Sequence, residues 1–169
     1  MRLFIALNFN ENMKYALLKM QNALKQNGVR GNFTRDENLH MTLVFIGESD
    51  DPKKIERIMR DVPFSAFDIN VSGLKCFKDM VFAKVEANPD LMDYVNRLRS
   101  ALSGKDIDFD TKKFTPHITL VRRAGGAKGY EKIGNVLDET MKVSRISLMK
   151  SEQSKQGMVY TELGYVKAF

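Results

Sequence analysis

The chain is 169 residues long, enough to bury a substantial core in a single domain or in two small lobes that share an interface. With 43% hydrophobic and 28% charged residues it has the composition of an ordinary globular protein, which excludes a disordered or fibrous chain. A single cysteine, Cys76, excludes an intramolecular disulfide and sets the expectation of a reducing, cytoplasmic setting; the formal net charge of +6 fits either a polyanionic partner or a lysine-rich solvated face.

The apolar run Leu3 to Phe9 reads as a buried first strand, too short for a membrane span and without the length or cleavage site of a signal peptide. Asn10-Glu11-Asn12 is a helix-start signal. Leu17, Leu18, Met20 and Leu24 continue it at helical spacing, and Asn27-Gly28 ends it. An irregular stretch from Val29 to Asn38 leads into a strand from Leu39 to Ile46, closed by Gly47. Asp51-Pro52 opens a second helix to about Asp61, and Phe67 to Phe77 is a long extended segment in which Gly73 marks a bulge.

From here the pattern repeats. Met80 to Val85 is strand-like, Asn88-Pro89-Asp90 starts a helix carrying Leu91, Val95, Leu98 and Leu102, and a polar loop leads to a strand from Thr115 to Val121. The interval Gly125 to Glu139 reads either as a loop, from its glycines, or as a short helix, from Ile133, Val136 and Leu137. Two strands, about Lys142 to Met149 and Gly157 to Val166, finish the chain around a polar turn.

Only two histidines are present, and each opens the same pattern: His40-Met41-Thr42-Leu43 and His117-Ile118-Thr119-Leu120. Phe4 precedes His40 by 36 positions and Phe82 precedes His117 by 35, so the order strand, helix, loop, histidine strand recurs at matching offsets. This predicts an internal duplication: one α+β domain over residues 1–169 with two intertwined lobes, motif one around 3–47 and motif two around 80–123, their histidine strands facing each other across a cleft. Residues two apart on a strand share a face, so His40 with Thr42, and His117 with Thr119, project together into that cleft.

Two opposed imidazoles suit a reaction in which one group loses a proton as another gains one. Phosphodiester cleavage is such a reaction, with threonine hydroxyls donating to the non-bridging oxygens. The scheme needs no metal, and the sequence offers no Cys/His cluster to hold zinc.

The paired motifs resemble the two-histidine (2H) phosphoesterase superfamily, and more closely its bacterial and archaeal RNA 2',3'-cyclic phosphodiesterases, once called 2'-5' RNA ligases. The opening RLFIAL, the run Glu37 to Gly47, the run Phe114 to Arg122, and a tail with Leu148-Met149-Lys150-Ser151 and Val159-Tyr160 extend the likeness over nearly the whole chain. The resemblance implies a bilobal fold of mainly antiparallel sheets with helices outside. It also implies metal-independent, cofactor-free opening of a 2',3'-cyclic phosphate to a 2'-phosphate by a monomer acting on RNA ends or cyclic-phosphate nucleotides, with no membrane partner. His40 then matches the general acid at the 3' oxygen, His117 the base that activates water, and Thr42 and Thr119 the phosphate clamps.

Arg122 matches a phosphate-binding position, although strict alternation would put Arg123 on the histidine face; a bulge before Gly125-Gly126 would re-aim Arg122. Phe45 matches an aromatic that stacks on a base, whereas alternation places it on the core side. Phe33, followed by Thr34-Arg35-Asp36 rather than by proline, is a candidate base platform. Arg35, Lys113, Arg123 and Lys128 are candidates for a basic track along an RNA backbone. The alternatives are a 2',5'-phosphodiesterase, an ADP-ribose cyclic phosphate hydrolase, or a non-catalytic RNA-binding module.

Overall fold

Asn10, Asp51 and Asn88 each stand at a helix start with extended or non-helical backbone, and each side chain accepts the backbone N–H three residues on. They open α1 (Glu11–Gln26), α2 (Pro52–Arg60) and α3 (Pro89–Gly104), with proline in the first turn of the latter two, where its missing N–H costs nothing. The computed structural model describes residues 1–134 and 137–169. Among them, strands run at β1 (Arg2–Asn8), β2 (Arg30–Phe33), β3 (His40–Glu48), β4 (Phe67–Phe77), β5 (Met80–Val85), β6 (His117–Gly125), β7 (Asp138–Val143), β8 (Arg145–Ser154) and β9 (Gly157–Lys167).

The strands form two antiparallel sheets, ordered β3-β1-β8-β9 and β2-β6-β5-β4-β7. Reading β6-β5-β4-β7 beside β3-β1-β8-β9 shows the same arrangement twice: a histidine strand, its partner from before a helix, then two further strands. β3 and β6 lie against each other where the sheets meet. The helix α1, which follows β1, lies against β6 and β7 of the second sheet, and α3, between β5 and β6, touches β3 of the first sheet and β4 of the second. Buried residues of both sheets, among them Ile5, Leu43, Val81 and Leu120, form one continuous hydrophobic cluster.

Two expectations are corrected and one open reading is decided. Val29 to Asn38 contains β2, which crosses to the second sheet and pairs with β6; Arg-Gly-Asn-Phe has no apolar alternation to announce a strand. The expected strand from Lys142 to Met149 is two strands, because the chain passes from the second sheet to the first at Ser144. The interval from Gly125 to Glu139, open between loop and short helix, forms a 3-10 helix at Ala127–Lys132, ahead of Ile133 and Leu137, while Val136 lies outside the described residues. Gly73, with φ of +75°, does sit at a break in the β4–β5 register.

Gly31 in β2 has φ of +146°, and a Cβ there would lie 2.7 Å from the carbonyl oxygen of Arg122 and 2.9 Å from that of Arg123. Gly31→Ala is therefore expected to destabilise the protein by about 1–3 kcal/mol. Gly104→Ala, at a helical position with nothing within 4 Å, is expected to be neutral or slightly stabilising. Urea unfolding midpoints of the two variants check this.

Candidate active site

Each histidine strand carries an extra residue at the same place. Along β1, Ile5 pairs with Val44 and Ala6 with Thr42, so Leu43 is inserted; along β5, Val81 pairs with Val121 and Phe82 with Thr119, so Leu120 is inserted. Two consecutive residues then face the core: Leu43 and Val44 are buried, as are Leu120 and Val121. Beyond the bulge the alternation is reversed. Phe45 and Arg122 consequently emerge on the same face as the histidines and threonines, and Arg123 does not line the site.

The carbonyl oxygen of the inserted Leu120 does not go unpaired. Buried Gln21 of α1 donates its amide to Leu120 O at 3.0 Å and to Thr34 O at 2.8 Å, and the Thr34 backbone N–H also reaches Leu120 O. The helix packed on the far side of the sheet thus supports the bulge that aims Arg122.

The two imidazoles are held alike. His40 Nδ1 lies 2.7 Å from Asn38 O and His117 Nδ1 lies 2.7 Å from Thr115 O, the carbonyl two residues before in each case. A carbonyl only accepts, so both Nδ1 atoms carry the proton and in the neutral rings Nε2 is the basic atom. His40 Nε2 is 2.9 Å from the Thr42 hydroxyl. Pro116 restricts Thr115 to extended backbone, and the Asn38 side chain is tied to Met158 O of β9 at 3.0 Å, so both supporting carbonyls are fixed.

His40, Thr42, His117, Thr119, Arg122, Thr34 and Tyr160 line one recess of about 70 Å³. It opens beside a groove of about 600 Å³ floored by Phe4, Phe45 and Tyr160 and edged by Arg2, Ser151, Gln153 and Met158. The recess is far below the ~300–1,000 Å³ of a small-molecule site, and the groove lies within that range. Phe4 and Phe45 stack with ring centroids 6.3 Å apart, and Tyr160 stands edge-on to both Phe4 and His40. In the other lobe Phe82 packs on His117 at 5.3 Å, as Phe4 does on His40 at 5.1 Å.

Burial lowers the His40 pKa below the ordinary histidine value; Arg122 and His117 push the same way, against the hydrogen bond to Asn38 O. His40 is therefore predominantly neutral in the free protein at neutral pH.

Phe33 is not brought to the site. It pairs with core-facing Val121, packs against the main core, and has the Lys25 ammonium 4.7 Å over its ring. Arg35 is held by Met158 O and Glu37, while Lys113, Arg123 and Lys128 are exposed and line neither the recess nor the groove. Tyr160, Phe4 and Thr34 are the site residues that motif spacing did not single out. Tyr160 arrives through the pairing of β9 with β8, which no local pattern reveals.

A model of the 2'-5' RNA ligase superfamily matches residues 19–155. The chain belongs to the 2'-5' RNA ligase superfamily. Within it, the chain is 31% identical to a Thermotoga maritima protein named RNA 2',3'-cyclic phosphodiesterase, over 96% of this chain and 93% of that protein. It is 27% identical to a Methanothermobacter thermautotrophicus protein of the same name, over 96% of each. Among solved structures of like fold, TT0787 of Thermus thermophilus aligns with a TM-score of 0.81 at 26% identity, covering 99% of this chain and 97% of that one. E. coli LigT complexed with 3'-AMP shares the fold, with a TM-score of 0.82 at 21% identity over 99% and 96% of the two chains. The fold is thus that of the LigT-like 2H phosphoesterases. No helix among the described residues is long and apolar enough to cross a membrane.

Removing the Arg122 cation relieves its repulsion of the His40 imidazolium, so Arg122→Ala is expected to raise the His40 pKa. Imidazole titration by NMR in the free protein checks the direction, and a downward or null shift would contradict the placement of Arg122.

Proposed function

We propose that the protein hydrolyses the 2',3'-cyclic phosphate at RNA ends to a 2'-phosphomonoester, using His40 and His117 as acid and base without a metal ion. The observation that carries this reading is the convergence on one recess of two imidazoles with Nδ1 held by a carbonyl, two threonines and one arginine. The names of relatives that align over nearly their whole length support the same chemistry.

In this scheme His117 Nε2 takes a proton from water as its oxygen bonds to phosphorus. The bond from phosphorus to O3' breaks, and His40 Nε2–H gives its proton to O3'. Arg122, Thr42 and Thr119 hold the non-bridging oxygens, where charge builds up. One proton has entered at His117 and one has left from His40, so exchange with solvent resets the pair. The assignment of acid and base follows the family pattern. We read the matching strand orders as a duplication within one domain, the reason two equivalent His-Thr pairs exist to flank a single phosphate.

His40 must be protonated to act as the acid, yet its pKa is lowered in the free protein. An anionic phosphate beside Arg122 offsets that cation and stabilises the imidazolium. The His40 imidazole is therefore expected to titrate at higher pH with a nucleoside 2'-monophosphate bound than in the free protein, as read by NMR. An unchanged or lower titration on binding would contradict a phosphate held beside His40 and Arg122.

A terminal cyclic-phosphate oligonucleotide incubated in EDTA tests the reaction. Turnover by the wild type, reduced about 10²–10⁴-fold in His40→Ala and in His117→Ala, is the expected result. Dependence on added metal, or binding without turnover, would overturn it; the latter would favour an RNA-binding module.

A further inference from the structure

The face of the second sheet that carries His117 and Thr119 extends well past the recess. Lys84 pairs with His117 and Phe82 with Thr119 across β5 and β6; Lys75 pairs with Phe82, and Phe77 with Met80, across β4 and β5. Directly paired residues share a face, so Lys84, Phe82, Lys75 and Phe77 point the same way as the histidine and threonine. Their neighbours Val81, Ala83 and Val85 are buried on the other side, and Cys76 packs partly against the core. Arg122 reaches along the same face to the Met80 sulfur.

This face is uncovered. Phe77 is 55% exposed at a hairpin end, with the Lys78 ammonium 5.5 Å over its ring, and Lys75 and Lys84 are exposed on the same face. None of the ion pairs among the described residues engages Lys75, Lys84 or Arg122. On β8 and β9 of the first sheet, by contrast, Lys150 is paired with Glu152 and Arg145 with Glu162. Cationic and aromatic side chains thus alternate away from the recess over two strand spacings, about 10 Å. Such a surface suits a single-stranded polyanion whose bases stack on rings while its phosphates meet ammonium groups. A protein partner would instead be expected to bury an apolar patch with its charges at the rim.

We propose that this strip, with Lys75 and Phe77 at its far end, binds the RNA nucleotides upstream of the reacting phosphate. The aromatic groove on the first sheet is then left for the terminal nucleoside. The inference rests on the proposed reaction, because the RNA end in the recess supplies the continuity from site to strip. The basic track expected from Arg35, Lys113, Arg123 and Lys128 is replaced by one on β4 and β5, where cross-strand pairing and not sequence proximity assembles it.

The test compares a mononucleoside 2',3'-cyclic phosphate with a short single-stranded RNA ending in the same group, using wild type, Lys75→Glu and Phe77→Ala, together with anisotropy binding of a labelled RNA of the same length without the cyclic end. The wild type is expected to favour the oligonucleotide in kcat/KM, with KM rising with salt. Each variant is expected to lose about tenfold or more of that preference and of RNA affinity. Lys75→Glu should also flatten the slope of log KM against log salt by about 0.7. Mononucleotide turnover should stay unchanged, which shows that the variants fold. Equal kcat/KM for both substrates in the wild type, or variants that keep the oligonucleotide preference and affinity, would overturn the strip while leaving the reaction standing. Variant-sensitive RNA binding with neither substrate turned over would keep the strip and remove the reaction; variant-insensitive binding without turnover would remove both.

Discussion

Strict alternation along a β-strand allows a His-x-Thr motif to present two side chains to one face and forbids the third residue after the threonine from joining them. The site of this protein depends on relaxing that constraint once in each half. An inserted leucine, Leu43 in β3 and Leu120 in β6, puts two apolar residues in succession into the core and turns the following side chain outward. In one half the residue delivered is Phe45, part of the aromatic floor of the groove; in the other it is Arg122, which brings a cation to the recess. One backbone device used twice therefore supplies both an aromatic surface and a cationic group, and the two lobes differ in side chains while keeping one geometry. The irregularity in β6 is sustained from behind, where buried Gln21 donates to the Leu120 carbonyl alongside the Thr34 backbone N–H.

The electrostatics of the recess follow from the same placement. His40 is enclosed by Phe4, Tyr160 and Thr42, and Arg122 stands on its open side, so burial and a neighbouring positive charge both disfavour the imidazolium. An anion bound by Arg122 reverses the second of these effects. In the proposed reaction the substrate itself thus supplies the charge that readies the acid, and water alone does not. His117 is more open to solvent, which suits a base that must meet water.

Much of this was legible in the amino-acid sequence, because it depends on local signals. Asn10, Asp51 and Asn88 announce the helices by the hydrogen bond each one makes, and the twin tetrapeptides mark the strands that carry chemistry. What stayed hidden depends on pairing between distant segments. β2 is a strand only because β6 offers it an edge, and Tyr160 joins the recess only because β9 pairs with β8 next to β1. Phe33 shows how far a family pattern reaches: it stands before the first motif as an aromatic does in relatives, yet pairing with Val121 turns it to the core side. For Arg122 and Phe45, alternation alone gives the wrong face. A run of two apolar residues after the threonine, Leu43-Val44 and Leu120-Val121, is the one sequence trace of the bulge.

The central claim is that both lobes close on a single phosphate. A crystal structure with a nucleoside 2'-monophosphate bound tests it most directly. One phosphate is expected within hydrogen-bonding distance of Nε2 of both His40 and His117 and of the Arg122 guanidinium, with the nucleobase in the groove over Phe45 and Tyr160. A phosphate held by one histidine alone, with the other imidazole turned away or out of reach, would contradict it.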